Sequence, residues 1–247
     1  TEKGDRFDRS ETLTLESIRE SLIRQEDSII FNLLERSHYC FNAPAYDANQ
    51  FSFPAFEGSL VEFMLKETEL LHSKVGRYKS PDEHPFFPDD LLEPLLPPLH
   101  YPQVLHPAAS TVNLNKEIQR MYFDNILPRF VAEGDDGNYG SAAVCDVSCL
   151  QALSKRIHYG KFVAEAKFKD SPNEYEPAIR AQDREALMNL LTVENVEAMV
   201  QRRVELKAMT YGQEINLDSA AVTPAYKFQP FLVARLYAEW VMPLTKK

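Results

Sequence analysis

Residues Ser141 to Phe168 read SAAVCDVSCLQALSKRIHYGKFVAEAKF. This is the longest uninterrupted helical pattern in the chain, and its reading decides the fold. Ser141 caps it behind the turn cluster Gly134-Asp135-Asp136-Gly137-Asn138-Tyr139-Gly140. At 1.5 Å per residue the rod is ~42 Å long, more than one compact unit needs, so the spacing predicts a helix that packs against a partner subunit.

Working outward, the same period recurs. Leu15, Ile18, Leu22, Ile29, Ile30, Leu33 and Leu34 line one face of a helix from Leu13 to Tyr39, with Thr14 as its N-cap and Glu16 in the first turn. Ser59 and Glu62 have capping-box spacing and open a second helix to Val75, where Gly76 permits termination. Eight of the 16 prolines fall between Pro81 and Pro107. Such a segment lacks backbone donors and excludes helix interiors, so it reads as an extended connector within the domain, packed through Phe86, Phe87, Leu91 and Leu92. Helical pattern resumes at 113–130 and continues at 174–191, 194–212 and 227–243, with a polar loop near Leu217 to Thr223 before the last run. Residues 1–12 are polar and read as a frayed end. No segment alternates with a strand's period of two. The expectation is an all-α, long-helix bundle forming a single domain over 1–247.

Composition excludes several function classes. A formal charge of −10 with 44% apolar residues describes a globular chain without the cationic face that nucleic acid or an anionic membrane requires. No apolar run approaches the ~20 residues that span a bilayer. Cys40, Cys145 and Cys149 are an odd set with no histidine cluster beside them, read as reduced thiols, not metal ligands. The chain begins at Thr1 and its first methionine is Met64, consistent with a processed or trimmed end.

In a chain this acidic, an anionic ligand must be held by local cations. Arg156 and Lys167 lie 11 residues apart and return to within ~20° of one helix face, with Gly160 and Val163 between them. Two long cations bracketing small residues suit a compact dicarboxylate, gripped in a fork by arginine and touched at a point by lysine. A solvated face with two ordinary cations has the same spacing. Arg19, Ile23, Glu26 and Ile30 share a face of the first helix, which predicts pairing of its charges with another helix; a surface coincidence remains the alternative. Glu197 alone is a first-turn acid favoured by the helix dipole. His158 reads as a packed or surface histidine. Gly-rich phosphate loops, histidine pairs at metal spacing and nucleophile motifs are missing from the sequence.

The segment LSKRIHYGKFVAEAKF (153–168) resembles the signature of the eukaryotic, all-helical chorismate mutases. IRESLIRQEDSIIF (18–31) resembles that family's first helix, and SPDEHPFF (80–87) and Gly134 to Ser141 resemble two of its loops. The resemblance runs over nearly the whole chain. It implies rearrangement of chorismate to prephenate by an intramolecular Claisen shift, with no cofactor and no metal. Catalysis then consists of holding the reactive fold and placing positive charge at the breaking ether oxygen. By resemblance, Arg19 and Arg156 hold the two carboxylates, Lys167 meets the ether oxygen, Glu197 orients the ring hydroxyl and Thr245 lies near a carboxylate. Glu26 and Arg203 would fix Arg156.

The family continues past Thr245-Lys246 to a further catalytic glutamate, whereas this chain stops at Lys247. One lost donor of that kind costs roughly 2.7–4 kcal/mol, so reduced turnover is expected. The resemblance further implies effector binding at Asn138, Tyr139, Gly140 and Ser141, where free N–H groups and the helix dipole meet a carboxylate, together with Asp27 and Arg77. Gly76 stands where some members carry a second arginine, which leaves effector preference open. Phenylalanine and tyrosine as inhibitors, tryptophan as activator, a homodimer and a plastid location are all implied; the unregulated cytosolic type resembles the chain less. The rival reading is a catalytically silent sensor of aromatic amino acids.

Overall fold

The computed structural model describes residues 14–101, 103–214 and 225–247. The expected frayed end at 1–12 and the polar loop at 217–223 lie outside the described residues. Eleven α-helices are present among them: α1 (Leu15–Arg36), α2 (Leu60–Lys74), α3 (Asn115–Met121), α4 (Leu127–Phe130), α5 (Tyr139–His158), α6 (Gly160–Asp170), α7 (Pro172–Ala181), α8 (Arg184–Leu191), α9 (Glu194–Gly212), α10 (Pro230–Leu236) and α11 (Met242–Lys246). Extended pairing among the described residues is limited to two isolated bridges, Phe53 with Phe56 and Gln213 with Tyr226.

Two starts are capped as the sequence predicts. Thr14 and Ser17 exchange backbone-to-side-chain bonds of 3.2 Å at α1. At α2, Glu62 accepts from the Ser59 N–H at 2.8 Å and Ser59 Oγ accepts from the Glu62 N–H at 3.3 Å. Each box satisfies donors that a helix end leaves open.

The central rod differs from expectation at both ends and in the middle. It begins at Tyr139, so Ser141 is not its cap, and Asn138 makes no side-chain cap bond. It is interrupted at Tyr159, which separates α5 from α6. Tyr159 keeps φ −63° and ψ −14°, so the interruption shifts the ladder without turning the chain away. The expected helix at 174–191 is likewise two, because Gln182 adopts a left-handed φ of 54° and Asp183 caps a fresh start by accepting from the Ala186 N–H at 3.0 Å.

Two π turns have a common cause. Tyr122–Ile126 joins α3 to α4, and Tyr237–Val241 joins α10 to α11. In both, a proline follows two residues later, Pro128 and Pro243. Proline cannot donate to the carbonyl four residues back and its ring crowds it, so the preceding turn widens instead of breaking. The rod therefore continues to Lys246, past the predicted end at 243.

The core is built by α1 along α5, with Ile29, Ile30, Leu33 and Leu34 meeting Val147, Leu150, Leu153 and Ile157, and α9 and α10 closing it with Val204, Ala208, Val233 and Leu236. Each of the valines, leucines and isoleucines among them contributes about 1.5–3 kcal/mol on burial. Phe86 and Phe87 of the proline-rich connector pack against this core as expected, but Leu92 is exposed. Polar bonds do the holding there: buried Glu69 accepts the N–H groups of Phe86 (2.8 Å) and Phe87 (2.9 Å), and Ser73 Oγ accepts that of Leu92 (3.0 Å).

Candidate active site

Arg156 stands in the last turn of α5, buried at 5% exposure. Its Nη1 donates to Thr245 Oγ1 at 3.3 Å, its guanidinium lies 5.8 Å from the Tyr237 ring centroid, and its Nε is buried without a partner. Among the described residues no carboxylate forms an ion pair with it. Burial pulls its pKa down, opposed by Tyr237 and Glu26. A buried guanidinium left unneutralised is costly unless an anion completes it.

Lys167 on α6 is half-buried and, among the described residues, donates to the carbonyls of Leu190 (3.4 Å) and Leu191 (3.2 Å). Burial, then the charge of Arg19, lowers its pKa. Arg19 is exposed on α1 and is carried beside α6 because its neighbour Ile18 packs with Phe162 and Ala166. Glu197 near the start of α9 accepts from Lys246 Nζ at 2.7 Å, and the same ammonium donates to Thr192 Oγ1 at 3.2 Å. The segment 190–197 and the end of α11 thus join Lys167 and Glu197 to Thr245 and Arg156. Three cations without carboxylate partners among the described residues gather in a chain of charge −10.

Two expectations are corrected. Gly160 does not floor an open gap, because a β-carbon there would collide with the Thr245 carbonyl and lie 2.9 Å from Thr245 Cγ2. Val163 packs with Ile18. Glu26 and Arg203, expected as charges behind Arg156, make no hydrogen bond to it. They form a fork with each other, Nε to Oε2 at 2.9 Å and Nη2 to Oε1 at 2.6 Å, with Lys207 3.2 Å from Glu26, and they act on Arg156 through charge alone.

The residues expected at an effector site do not meet within one chain. Asn138 donates its N–H to Asp136 Oδ1 at 2.9 Å, Tyr139 donates its hydroxyl to Asp135 at 2.8 Å, and Gly140 and Ser141 are exposed. Arg77 instead pairs with Glu83 at 3.0 Å and donates to Gln151 at 3.0 Å. Gln151 lies eleven residues along α5 from Gly140, ~16 Å at the helical rise. Asp27 pairs with Lys207 at 2.7 Å and accepts from Tyr211 at 3.2 Å.

Tyr237 and Lys246 escaped the sequence reading. Tyr237 is placed by the π turn ahead of Pro243, a repeat of the Tyr122–Pro128 spacing that was legible but not used. His158 is buried, the packed reading of that residue. The cysteines are free. Among the described residues no three or more His, Cys, Asp or Glu side chains gather as metal ligands, and no helix is long and apolar enough to cross a membrane.

The chain is 63% identical over 247 residues to the maize chloroplastic chorismate mutase 1, covering 99% of this chain and 79% of that protein. It belongs to the chorismate mutase family. The family's type II sequence profile matches residues 138–247, which includes Arg156, Lys167, Glu197 and Thr245. The maize cytosolic chorismate mutase 2 is more distant, 48% identical with 95% of this chain and 92% of that protein covered. The crystal structure of AtCM1 with tyrosine bound in its allosteric site superposes with a TM-score of 0.88 at 63% identity, covering 98% of this chain and 95% of that one. The family is all-helical and its members are isomerases, as the sequence resemblance implies.

Proposed function

We propose that the chain rearranges chorismate to prephenate at the cluster formed by Arg19, Arg156, Lys167, Glu197 and Thr245. The observation that carries this is Arg156: a buried guanidinium with a free Nε and no carboxylate partner among the described residues. Its fork takes one substrate carboxylate beside the Thr245 hydroxyl, and Arg19, on an exposed face of α1, takes the other. Lys167, already held by two carbonyls, points its ammonium where the ether oxygen gains charge as its bond to carbon breaks. Glu197 takes the ring hydroxyl once Lys246 yields. The rearrangement is unimolecular, so fixing the folded conformer and supplying charge at one oxygen suffice for rate.

A second part of the reading concerns control. The tyrosine-bound relative and the greater identity to chloroplastic than to cytosolic relatives support a plastid enzyme answering to phenylalanine, tyrosine and tryptophan. Because Arg77 and Gly140–Ser141 are separated within one chain, we infer that a homodimer brings them together, one chain supplying each.

The test follows chorismate consumption by absorbance for the chain and for Arg156→Ala. Loss of roughly 30-fold to several-thousand-fold in kcat/KM is expected, as for truncating a buried charged partner. Tyrosine binding without any turnover would instead favour the silent sensor.

A further inference from the structure

Outside the substrate cluster, the junction of α5 and α6 is gripped from the opposite side by a set of groups that the rearrangement does not use. Lys161, in the first turn of α6, donates to His84 Nε2 at 2.7 Å, to the Ala109 carbonyl at 2.7 Å and to the Val112 carbonyl at 2.5 Å. His84 stacks on His158, ring centroids 3.9 Å apart and planes within 8°. His158 Nε2 accepts the Leu114 N–H at 2.8 Å, which leaves the proton on Nδ1, donated to the Ser154 carbonyl at 2.8 Å.

The proline-rich connector is thereby fastened to the junction at residue 84 near its start and through residues 109–114 just past its end. The fastening needs neutral rings, since each stacked imidazole accepts a hydrogen bond. Burial holds His84 at about 3 and His158 at about 4, and burial lowers Lys161 to about 8.

The position of this clamp is what gives it a consequence. His158 follows Arg156 by two residues, and Lys161 precedes Lys167 by six. Between them the helical ladder is irregular at Tyr159, although its N–H still bonds the Lys155 carbonyl at 3.0 Å and its carbonyl accepts from the Phe162 N–H at 3.1 Å, so packing on this junction adds to the backbone in setting the angle between the two cations. On the substrate side Gly160 abuts Thr245. The connector supplies the opposing jaw.

We propose that Lys161, through His84 and the connector carbonyls, is a positioning residue that sets Lys167 relative to Arg156. The proposal rests on the substrate-site assignment above. Displacing one catalytic charge with the carboxylate grip intact weakens the transition state more than the ground state.

The experiment compares kcat and KM of Lys161→Met, Lys161→Arg, His84→Phe and Lys167→Met, normalised to folded protein by circular dichroism. Lys161→Met should lower kcat by about 10- to 100-fold, the scale of an ångström-sized misplacement, with KM within about threefold. Lys161→Arg, which keeps donors for the carbonyls, should recover most of that loss. His84→Phe, which keeps the stack but removes one acceptor, should fall between. If Lys161→Met keeps the kcat of the unaltered chain while Lys167→Met is inactive, the clamp does not position the site. Full turnover by Lys167→Met would remove the site assignment and the proposal together. A loss in Lys161→Met confined to KM, or one that vanishes on normalisation, would also overturn it.

Discussion

The backbone of Thr245 occupies the space where residue 160 would carry a β-carbon, so only glycine allows α11 to lie against the α5–α6 junction. Two effects oppose each other in Gly160→Ala. Alanine favours a helix by up to ~1 kcal/mol, whereas overpacking costs typically about 1–3 kcal/mol. Because the clash is with main chain, which cannot swing aside, overpacking wins. We expect a net loss of about 1–2 kcal/mol in urea unfolding, and a fall in kcat/KM of at least about tenfold, as Thr245 leaves Arg156. An unaltered kcat/KM would mean that the Thr245 contact is dispensable.

Far from the substrate cluster, Arg36 and Asp146 form an ion pair at 2.7 Å with both side chains fully buried. Arg36 also donates to the carbonyls of Tyr39, Cys40 and Phe41, and Asp146 accepts from the hydroxyls of Tyr46 and Tyr122, each at 2.6 Å. Removing one partner strands the other, which costs about 3–5 kcal/mol. Asp146→Ala should therefore lower unfolding free energy by that amount in denaturant titration, while kcat/KM per folded molecule stays within about twofold. A cost below about 1 kcal/mol would show that the pair is offset by its neighbours.

These two cases also mark what the sequence could disclose. The apolar stripe from Ile18 to Leu34 and the Ser59–Glu62 box are local patterns, and both helices start where those patterns place them. Arg156 and Lys167, the cations of the proposed site, fall in one helical pattern that is visible locally. The tightness at Gly160 is not, since it depends on Thr245, 85 positions away. Arg36 and Asp146 are likewise joined only by the packing of α1 on α5. The break at Tyr159 leaves no mark in residue type, because Tyr159 stays in helical backbone space. The partners of Lys161 lie 49 to 77 positions away in the chain, so no local pattern marks it.

The fork between Arg203 and buried Glu26 makes an ordering of two variants predictable. Glu26 is 1% exposed and takes donors from both Arg203 and Lys207. Glu26→Gln removes the acid that, among the described residues, those donors share, yet Arg203 is 34% exposed and can turn to water, so the cost is about 1–3 kcal/mol, below that of a wholly buried pair. Arg203→Met leaves Glu26 still paired with Lys207, so it should cost less. Thermal unfolding of the two proteins side by side decides the matter; a larger loss in Arg203→Met would mean that Lys207 does not compensate.

Acid should loosen the clamp at His158, and the sign follows from where protons bind. Burial lowers His158 from 6.5 to about 4 in the folded chain. Between those values the unfolded chain holds more protons than the folded one, so stability rises with pH there. The contribution is complete above about 6.5 and is lost as pH falls toward about 4. At 1.36 kcal/mol per unit it amounts to about 2–3 kcal/mol between pH 7 and 4.5. Carboxylates elsewhere add their own slopes, so the informative quantity is a difference. His158→Phe keeps the stack on His84 but cannot be protonated. It should start less stable at pH 7, because the Leu114 N–H loses its acceptor, and then lose about 2–3 kcal/mol less than the unaltered chain over the same range. Urea midpoints at about pH 7, 5.5 and 4.5 measure this directly. Parallel curves for the two proteins would place the acid sensitivity outside His158.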